Sequence, residues 1–460
     1  MTDGTRFGQF MPLLPLVIYL VAWTGLTALG ATITLFDWGQ EHLRLFLGNI
    51  PQNVSEEIGT SSYYLLLLMP YVVVPAFFFA AYGISKKYIS IIQCEFAKVS
   101  SGALMVVAVS AVAFCLWKLN SIDALYPGLL IYDLTYDQYI LKRTEIINSA
   151  GFIFYGLVYA VIPMSSVLFF SRMIYRRCSI FDISGLVLTF AATLYFTVAI
   201  YMKLPIIVYF MLIAFSVLLS GRKLFLFPVI VVMAVATLLS LHVVMGGYRV
   251  GEPPATEQQE KLSGAGGRLT GAADQDASGA SRGQVVPAGP KPSDFSIPAR
   301  LLGGAWSITE SIAFRMGAAF PYYVAIFRDP SERCGIETNS LPLLPTPRCV
   351  LPRKVFDAMY PNVTWVEGFA PAAAHVSAYG ERGLSYALFV LAMIGIILGV
   401  MSGMMRFCSG PVFVGLGVAV SIVAYYFTQV PFLGALSYSH GLVFFLIPLF
   451  LGVAIEKLRS

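Results

Sequence analysis

Charge is scarce in this chain: only 12% of its 460 residues are Asp, Glu, Lys or Arg, against 57% hydrophobic residues. So few charges cannot coat a soluble globule of this size, and a mean hydropathy of +0.75 makes lipid the natural solvent. The 30 basic and 25 acidic residues leave a net charge of +5. The basic residues are scattered among short loops rather than gathered into a stripe, so they report topology and exclude nucleic-acid binding. No HExxH, paired CxxC or Walker A pattern occurs, which leaves metalloprotease and ATPase chemistry without a motif. No metal and no cofactor is expected. Asp37 and Glu41 are the only acids of the first outer loop that suggest a metal-dependent alternative.

What is present is a succession of apolar runs, each near the roughly 20 residues that cross a bilayer as a helix. They predict an all-α polytopic membrane protein of about ten transmembrane helices, beginning with an uncleaved span over about 10–35. A short interfacial helix is expected in "DWGQEHLRLFLGNIPQNVSEE", and a surface-lying segment between Lys118 and Ser149. Lys86, Lys87, Lys98, Arg172, Arg176, Arg177, Arg222, Lys223 and Arg406 fall in alternate loops. The positive-inside rule then gives cytoplasmic N- and C-termini. The chain divides into an N-terminal membrane domain over 1–245, about seven spans, and one large periplasmic loop over 246–382. A C-terminal membrane domain over 383–460 adds about three more.

The loop is uneven. Residues 252–292 are rich in Gly, Ala, Ser, Pro and Gln and nearly free of aromatics, a composition that predicts a disordered tether. From 295 to 382 aromatic and aliphatic residues return, and a folded, membrane-lying subdomain is expected. Helices are predicted over 301–316, continuing over 321–327, and over 352–360. Cys334 and Cys349 share this loop. In an oxidising compartment they would close a ring of about 15 residues, worth about 3 kcal/mol in the chain-entropy account.

The loop also concentrates cations: Arg249, Arg300, Arg315, Arg328, Arg333, Arg348, Arg353, Lys354 and Arg382. Guanidinium forks match phosphate oxygens and stay charged, so a lipid diphosphate at a membrane surface is a natural ligand. Pairing with Glu310, Asp329, Glu332 and Asp357 or snorkelling to headgroups is the plainer reading for any one of them. Lys203, isolated between two spans, needs water, a headgroup or an anion. Glu367, His375, Tyr379, Glu381 and Arg382 cluster before the eighth span, where an acid or histidine could serve as base.

Three stretches resemble the O-antigen polymerases (Wzy type) and related repeat-unit polymerases. In "YMKLPIIVYFMLIAFSVLLSGRK", Lys203 stands where those proteins usually have an arginine. "GGYRVGE" places Arg249 after the next helix, and the loop pieces "TESIAFRMGAAFPYY" and "GFAPAAAHVSAYGERGLSYALF" look like the family's arginine-bearing helix and the return to the membrane. The resemblance implies a polysaccharide polymerase of the bacterial inner membrane, its active site facing the periplasm. It would transfer a growing glycan from undecaprenyl diphosphate onto a lipid-linked oligosaccharide repeat unit, beside a flippase and a chain-length regulator. Arg315, His375, Glu367 and Glu381 are then the candidate catalytic residues. Lys203, Arg249, Arg328 and Arg382 are candidates for the diphosphate. An O-antigen ligase, a lipid-linked oligosaccharide flippase or transporter, and a non-catalytic assembly scaffold are the alternatives. The scarcity of ionisable residues within the spans speaks against a coupled transporter.

Overall fold

The computed structural model describes residues 11–47, 50–88, 100–125, 136–175, 179–221, 223–245, 316–335, 349–361, 368–406, 408, 410–437 and 441–459. Among these every regular element is helical and no strand occurs. In chain order they are α1 (Met11–Ile33), α2 (Asp37–Leu47), α3 (Gln52–Glu57), α4 (Ser61–Tyr88), α5 (Ser101–Ser121) and α6 (Tyr136–Gly156). Then come α7 (Ile162–Tyr175), α8 (Ile180–Ala199), α9 (Leu204–Ser220) and α10 (Leu226–Met245). The subdomain supplies α11 (Ala319–Ile326), α12 (Leu351–Met359) and α13 (Ala374–Arg382). Finally α14 (Leu384–Met405), α15 (Gly410–Tyr426), α16 (Phe432–Ser437) and α17 (Leu442–Arg459) return to the bundle. Seven helical stretches among the described residues are long and apolar enough to cross a membrane, and three shorter apolar helices accompany them. The chain is a multi-pass membrane protein.

Local chemistry sets the helix ends. Ser100 and Ser179 each turn a hydroxyl onto an otherwise unpaired N–H, of Ala103 and Phe181, at the starts of α5 and α8. Gly221 takes the left-handed conformation that closes α9, at φ +59°. The surface-lying segment expected before Ser149 is helical from Tyr136, and Gly151, at φ +78°, breaks it from the span that follows. Two stretches of π-helix, Thr24–Ala28 and Leu157–Val161, interrupt α1 and join α6 to α7.

The most extensive helix pairing among the described residues is α4 with α14, which run parallel. Gly395, Gly399 and Gly403 of α14 face Val74, Phe78 and Ser85 of α4 in turn. Small residues four apart let two backbones approach, and in lipid that contact replaces the missing hydrophobic drive. At the end of the bundle away from the subdomain, Arg172 ties three helices together. Its Nε lies 3.0 Å from Asp182 Oδ1 and 3.1 Å from Ser101 Oγ, and the Ser101 hydroxyl donates to Asp182 at 2.7 Å. Asp182 is 1% exposed, so this is a buried, fully engaged ion pair. The expectation that Arg172 merely marks a loop is therefore too simple.

The expected tether at 252–292 and residues 301–315 of the helix expected over 301–316 lie outside the described residues. The helices expected over 321–327 and 352–360 are α11 and α12, shifted by one or two residues.

Candidate functional site

The subdomain sits on one end of the bundle through small residues and backbone bonds. A Cβ added to Gly317 would lie 2.6 Å from the Cα of Gly30, so this segment docks on the last turns of α1 with no side chain between. The Tyr323 hydroxyl donates to the Ala370 carbonyl at 2.9 Å, and the Ala370 N–H donates to the Pro352 carbonyl at 2.9 Å. Cys334 and Cys349 form the expected disulfide, with Cα atoms 5.3 Å apart.

Helix α13 is pinned at both ends. Its first N–H, from Ala374, donates to the Phe427 carbonyl at the end of α15, at 2.8 Å. At its other end the N–H groups of Cys334 and Gly335 reach the carbonyls of Gly380 and Glu381, at 3.2 and 3.1 Å. These are carbonyls that a helix C-terminus leaves without intrahelical donors. Gly383 then turns the chain into α14 at φ +85°, ψ −167°, a conformation open only to glycine.

Around this end the structure makes two groupings: Glu57, Arg328 and Arg333 about Tyr379, and Glu381 and Arg382 about Tyr386. Arg328 is 69% exposed and its guanidinium bonds the carboxylate of Glu57 on α3, itself 6% exposed. Arg333 donates from Nε to the Phe327 carbonyl at 3.1 Å, lies 6.0 Å above the Tyr379 ring, and packs against Gly383. Burial pushes the Tyr379 phenol pKa up, opposed by the neighbouring Arg333. Glu381 is 8% exposed and lines a narrow recess with Ala378, Tyr386, Val390, Pro431 and Phe432. Arg382 is exposed, its guanidinium 5.9 Å from the centre of the Tyr386 ring. The result is one nearly buried carboxylate, at the rim of the membrane bundle, that shares Tyr386 with one guanidinium, that of Arg382.

His375 points elsewhere. It is wholly buried between α13 and α1, its ring 4.6 Å from that of Trp23 in an edge-on contact. Its Nε2 stands 3.2 Å from the Leu66 carbonyl, and its Nδ1 has no partner among the described residues. Enclosure pulls its pKa down to about 3, the hydrogen bond to Leu66 opposing the shift. Substrate contact with His375 would require α13 to part from α1.

Lys203 lies at the turn before α9, at the same end of the bundle as the subdomain, and burial lowers its ammonium pKa. Beside it Met202 accepts a hydrogen bond from the Tyr159 hydroxyl at 3.2 Å. Arg249, Arg315 and Glu367 lie outside the described residues. Of the expected site residues, then, Glu381 and Arg382 meet at Tyr386, Arg328 belongs with Glu57 and Tyr379, and His375 turns to Leu66 instead. Sequence reasoning gave Glu57 no role, although it is the one acid of the "NVSEE" segment that the subdomain's arginine reaches. Of the remaining loop cations, Lys354 bonds Glu332 and Arg353 faces Asp357 at 4.0 Å. Among the described residues no group of three or more metal-ligating side chains converges.

Comparison with protein-family models, curated proteins and solved structures gives no match to this chain.

Proposed function

We propose that this protein is a membrane glycosyltransferase that moves a growing glycan from a polyprenyl diphosphate onto a lipid-linked oligosaccharide repeat unit. The observation that carries the reading is Glu381, a nearly buried carboxylate in a recess at the rim of the bundle, with the Arg382 guanidinium on the Tyr386 ring that lines the same recess. In the transfer, the acceptor hydroxyl attacks the anomeric carbon of the donor glycan as the bond from that carbon to the diphosphate oxygen breaks. The acceptor proton passes to the Glu381 carboxylate. The diphosphate leaves with the bonding electrons, and the Arg382 guanidinium stabilises its growing charge. A donor that carries its own leaving group needs no nucleotide-binding fold, which fits an all-helical chain.

Arg328 serves this site by holding the subdomain to α3, while Lys203, Arg249 and Arg315 remain candidates for the diphosphate. Arg172, Lys223 and Arg406 fall at the end of the bundle opposite the subdomain. That distribution supports about ten spans with both termini cytoplasmic, and a site facing the periplasm across a bacterial inner membrane. A flippase and a chain-length regulator are the partners such a reaction calls for.

The test is purified protein supplied with lipid-linked repeat units, read by the length of the lipid-linked chains. Wild type should extend them, and Glu381→Gln should slow extension by about a hundredfold or more, the usual cost of losing a general base. Full extension by a folded Glu381→Gln protein, or none by wild type, would sink the reading.

A further inference from the structure

The reaction proposed above brings a membrane-embedded donor to Glu381, and the following inference rests on that reading. Beside the Glu381 recess the surface of α14 has an ordered stripe. Arg382 lies over the Tyr386 ring, and Tyr386 stacks on Phe389, their ring centres 6.0 Å apart and their planes 16° from parallel. Phe389 is 55% exposed on a helix apolar enough to cross the bilayer, so its outer face meets hydrocarbon. Arg382 has no carboxylate partner among the described residues, and its only described contact is the Tyr386 ring. From the rim inward the order is therefore guanidinium, half-buried phenol, exposed phenyl. Tyr386 also lines the Glu381 recess, together with Pro431 and Phe432 at the start of α16.

We propose that this stripe is the docking track for the isoprenoid carrier of the donor. The diphosphate sits at Arg382, the first isoprene units lie along Tyr386 and Phe389, and the glycosidic carbon is turned toward Glu381. Charge and apolarity on one continuous strip select a ligand with an anionic head and a hydrocarbon tail. A soluble sugar nucleotide would leave Phe389 uncovered. A diphosphate also brings more charge to a single guanidinium than the phosphodiester of a bulk phospholipid. The track faces the bilayer, so the donor reaches the site sideways from the membrane rather than through the water above the subdomain.

The test is native mass spectrometry of the full chain in detergent, with farnesyl diphosphate as probe and inorganic diphosphate and phosphatidylglycerol as comparisons. Farnesyl diphosphate should remain bound, and Arg382→Ala and Phe389→Ala should each weaken it by about tenfold, with Arg382→Lys recovering part of the loss. Inorganic diphosphate should bind more weakly and ignore Phe389→Ala. Both side chains are exposed, and unchanged melting temperatures would show the variants folded. Equal retention by both alanine variants would overturn the proposal. So would displacement of the probe by phosphatidylglycerol at equal concentration, which would make the stripe a general lipid contact. Binding is read here without turnover. A chain that binds the probe as described yet extends no glycan therefore refutes only the transferase reading.

Discussion

His375 Nε2 stands 3.2 Å from the carbonyl oxygen of Leu66, and Leu66 is the residue whose helical donor would be the N–H of Pro70. Proline has no such N–H, and its ring pushes against the carbonyl one turn back. The Leu66 oxygen, inside a membrane-spanning helix, therefore needs a donor from outside that helix. A carbonyl can only accept, so Nε2 carries the proton and Nδ1 is the bare nitrogen. The neighbouring Leu67 carbonyl takes the indole N–H of Trp23 at 3.3 Å. The proline of α4 thus opens a polar gap that α1 and α13 fill, and subdomain and bundle become one folding unit.

Stability should therefore depend on pH through His375. Burial holds its pKa near 3 in the folded chain, against roughly 6.5 in an unfolded one. Between those values the unfolded chain binds the extra proton and the folded chain does not, so stability rises with pH. The contribution is complete above about pH 6.5 and is lost progressively as pH falls toward about 3. Thermal melts between about pH 7.5 and about pH 4.5 should show the melting temperature dropping on the acid side. His375→Gln keeps an N–H for Leu66 but cannot titrate, and should flatten that drop. If the variant melts with the wild-type slope, the titrating group lies elsewhere.

The bundle was legible because hydrocarbon imposes its own code: nearly every apolar run became a helix where hydropathy put it. The turn at Lys203 and the turn at Lys223 also fall where charge marked them. The disulfide was legible from two cysteines sharing one loop. The partners of single charges were not. His375 read as a base because histidine near Glu and Arg suggests acid–base work. What assigns it to a backbone carbonyl is Pro70, 305 positions away, and no local pattern joins the two. Arg328 likewise reads as a phosphate ligand until the fold brings Glu57 to it across 271 positions. Pro70 and Pro75 inside an apolar run were the available signal that some carbonyls of α4 would need outside donors.

At the far end of the bundle, Asp182→Ala should be among the most damaging single changes. It leaves the Arg172 guanidinium, 11% exposed, without its carboxylate. Breaking one partner of a buried pair costs about 3 kcal/mol or more, whereas replacing both by apolar residues is often neutral. Arg172→Met with Asp182→Leu should accordingly melt nearer to wild type than Asp182→Ala alone. A double variant that loses as much as the sum of its single changes would argue that the pair contributes net stability rather than satisfying buried charge.

Reduction of the disulfide should loosen the end of α13 before it unfolds the bundle. Cys334 is bonded through sulfur to Cys349 and through its N–H to the Gly380 carbonyl, so freeing the sulfur releases the backbone clamp on Gly380 and Glu381. With 15 positions between the cysteines, the chain-entropy account gives about 3 kcal/mol. Dithiothreitol, or Cys334→Ala with Cys349→Ala, should expose the subdomain to limited proteolysis while the spans stay helical by circular dichroism. Protease resistance that survives reduction would show that the backbone contacts alone hold the subdomain.

The α4–α14 contact gives a prediction in which two helical glycines, one on each helix, behave oppositely. A Cβ on Gly399 would fall against the Phe78 carbonyl, and one on Gly395 would lie 2.7 Å from the Val74 carbonyl. Backbone atoms cannot rotate aside, so the helices must separate along the whole seam, and overpacking of this kind costs about 1–3 kcal/mol. Gly83, on α4 itself, has nothing within 4 Å of the corresponding position. There Gly83→Ala should be neutral or stabilising by up to about 1 kcal/mol, through helix propensity alone. Because α14 carries Tyr386 and follows directly on Glu381, Gly399→Ala should also weaken farnesyl diphosphate retention, and Gly83→Ala should not. Equal melting losses in the two variants would mean that helix propensity, not close approach of the two backbones, decides the stability of this pair.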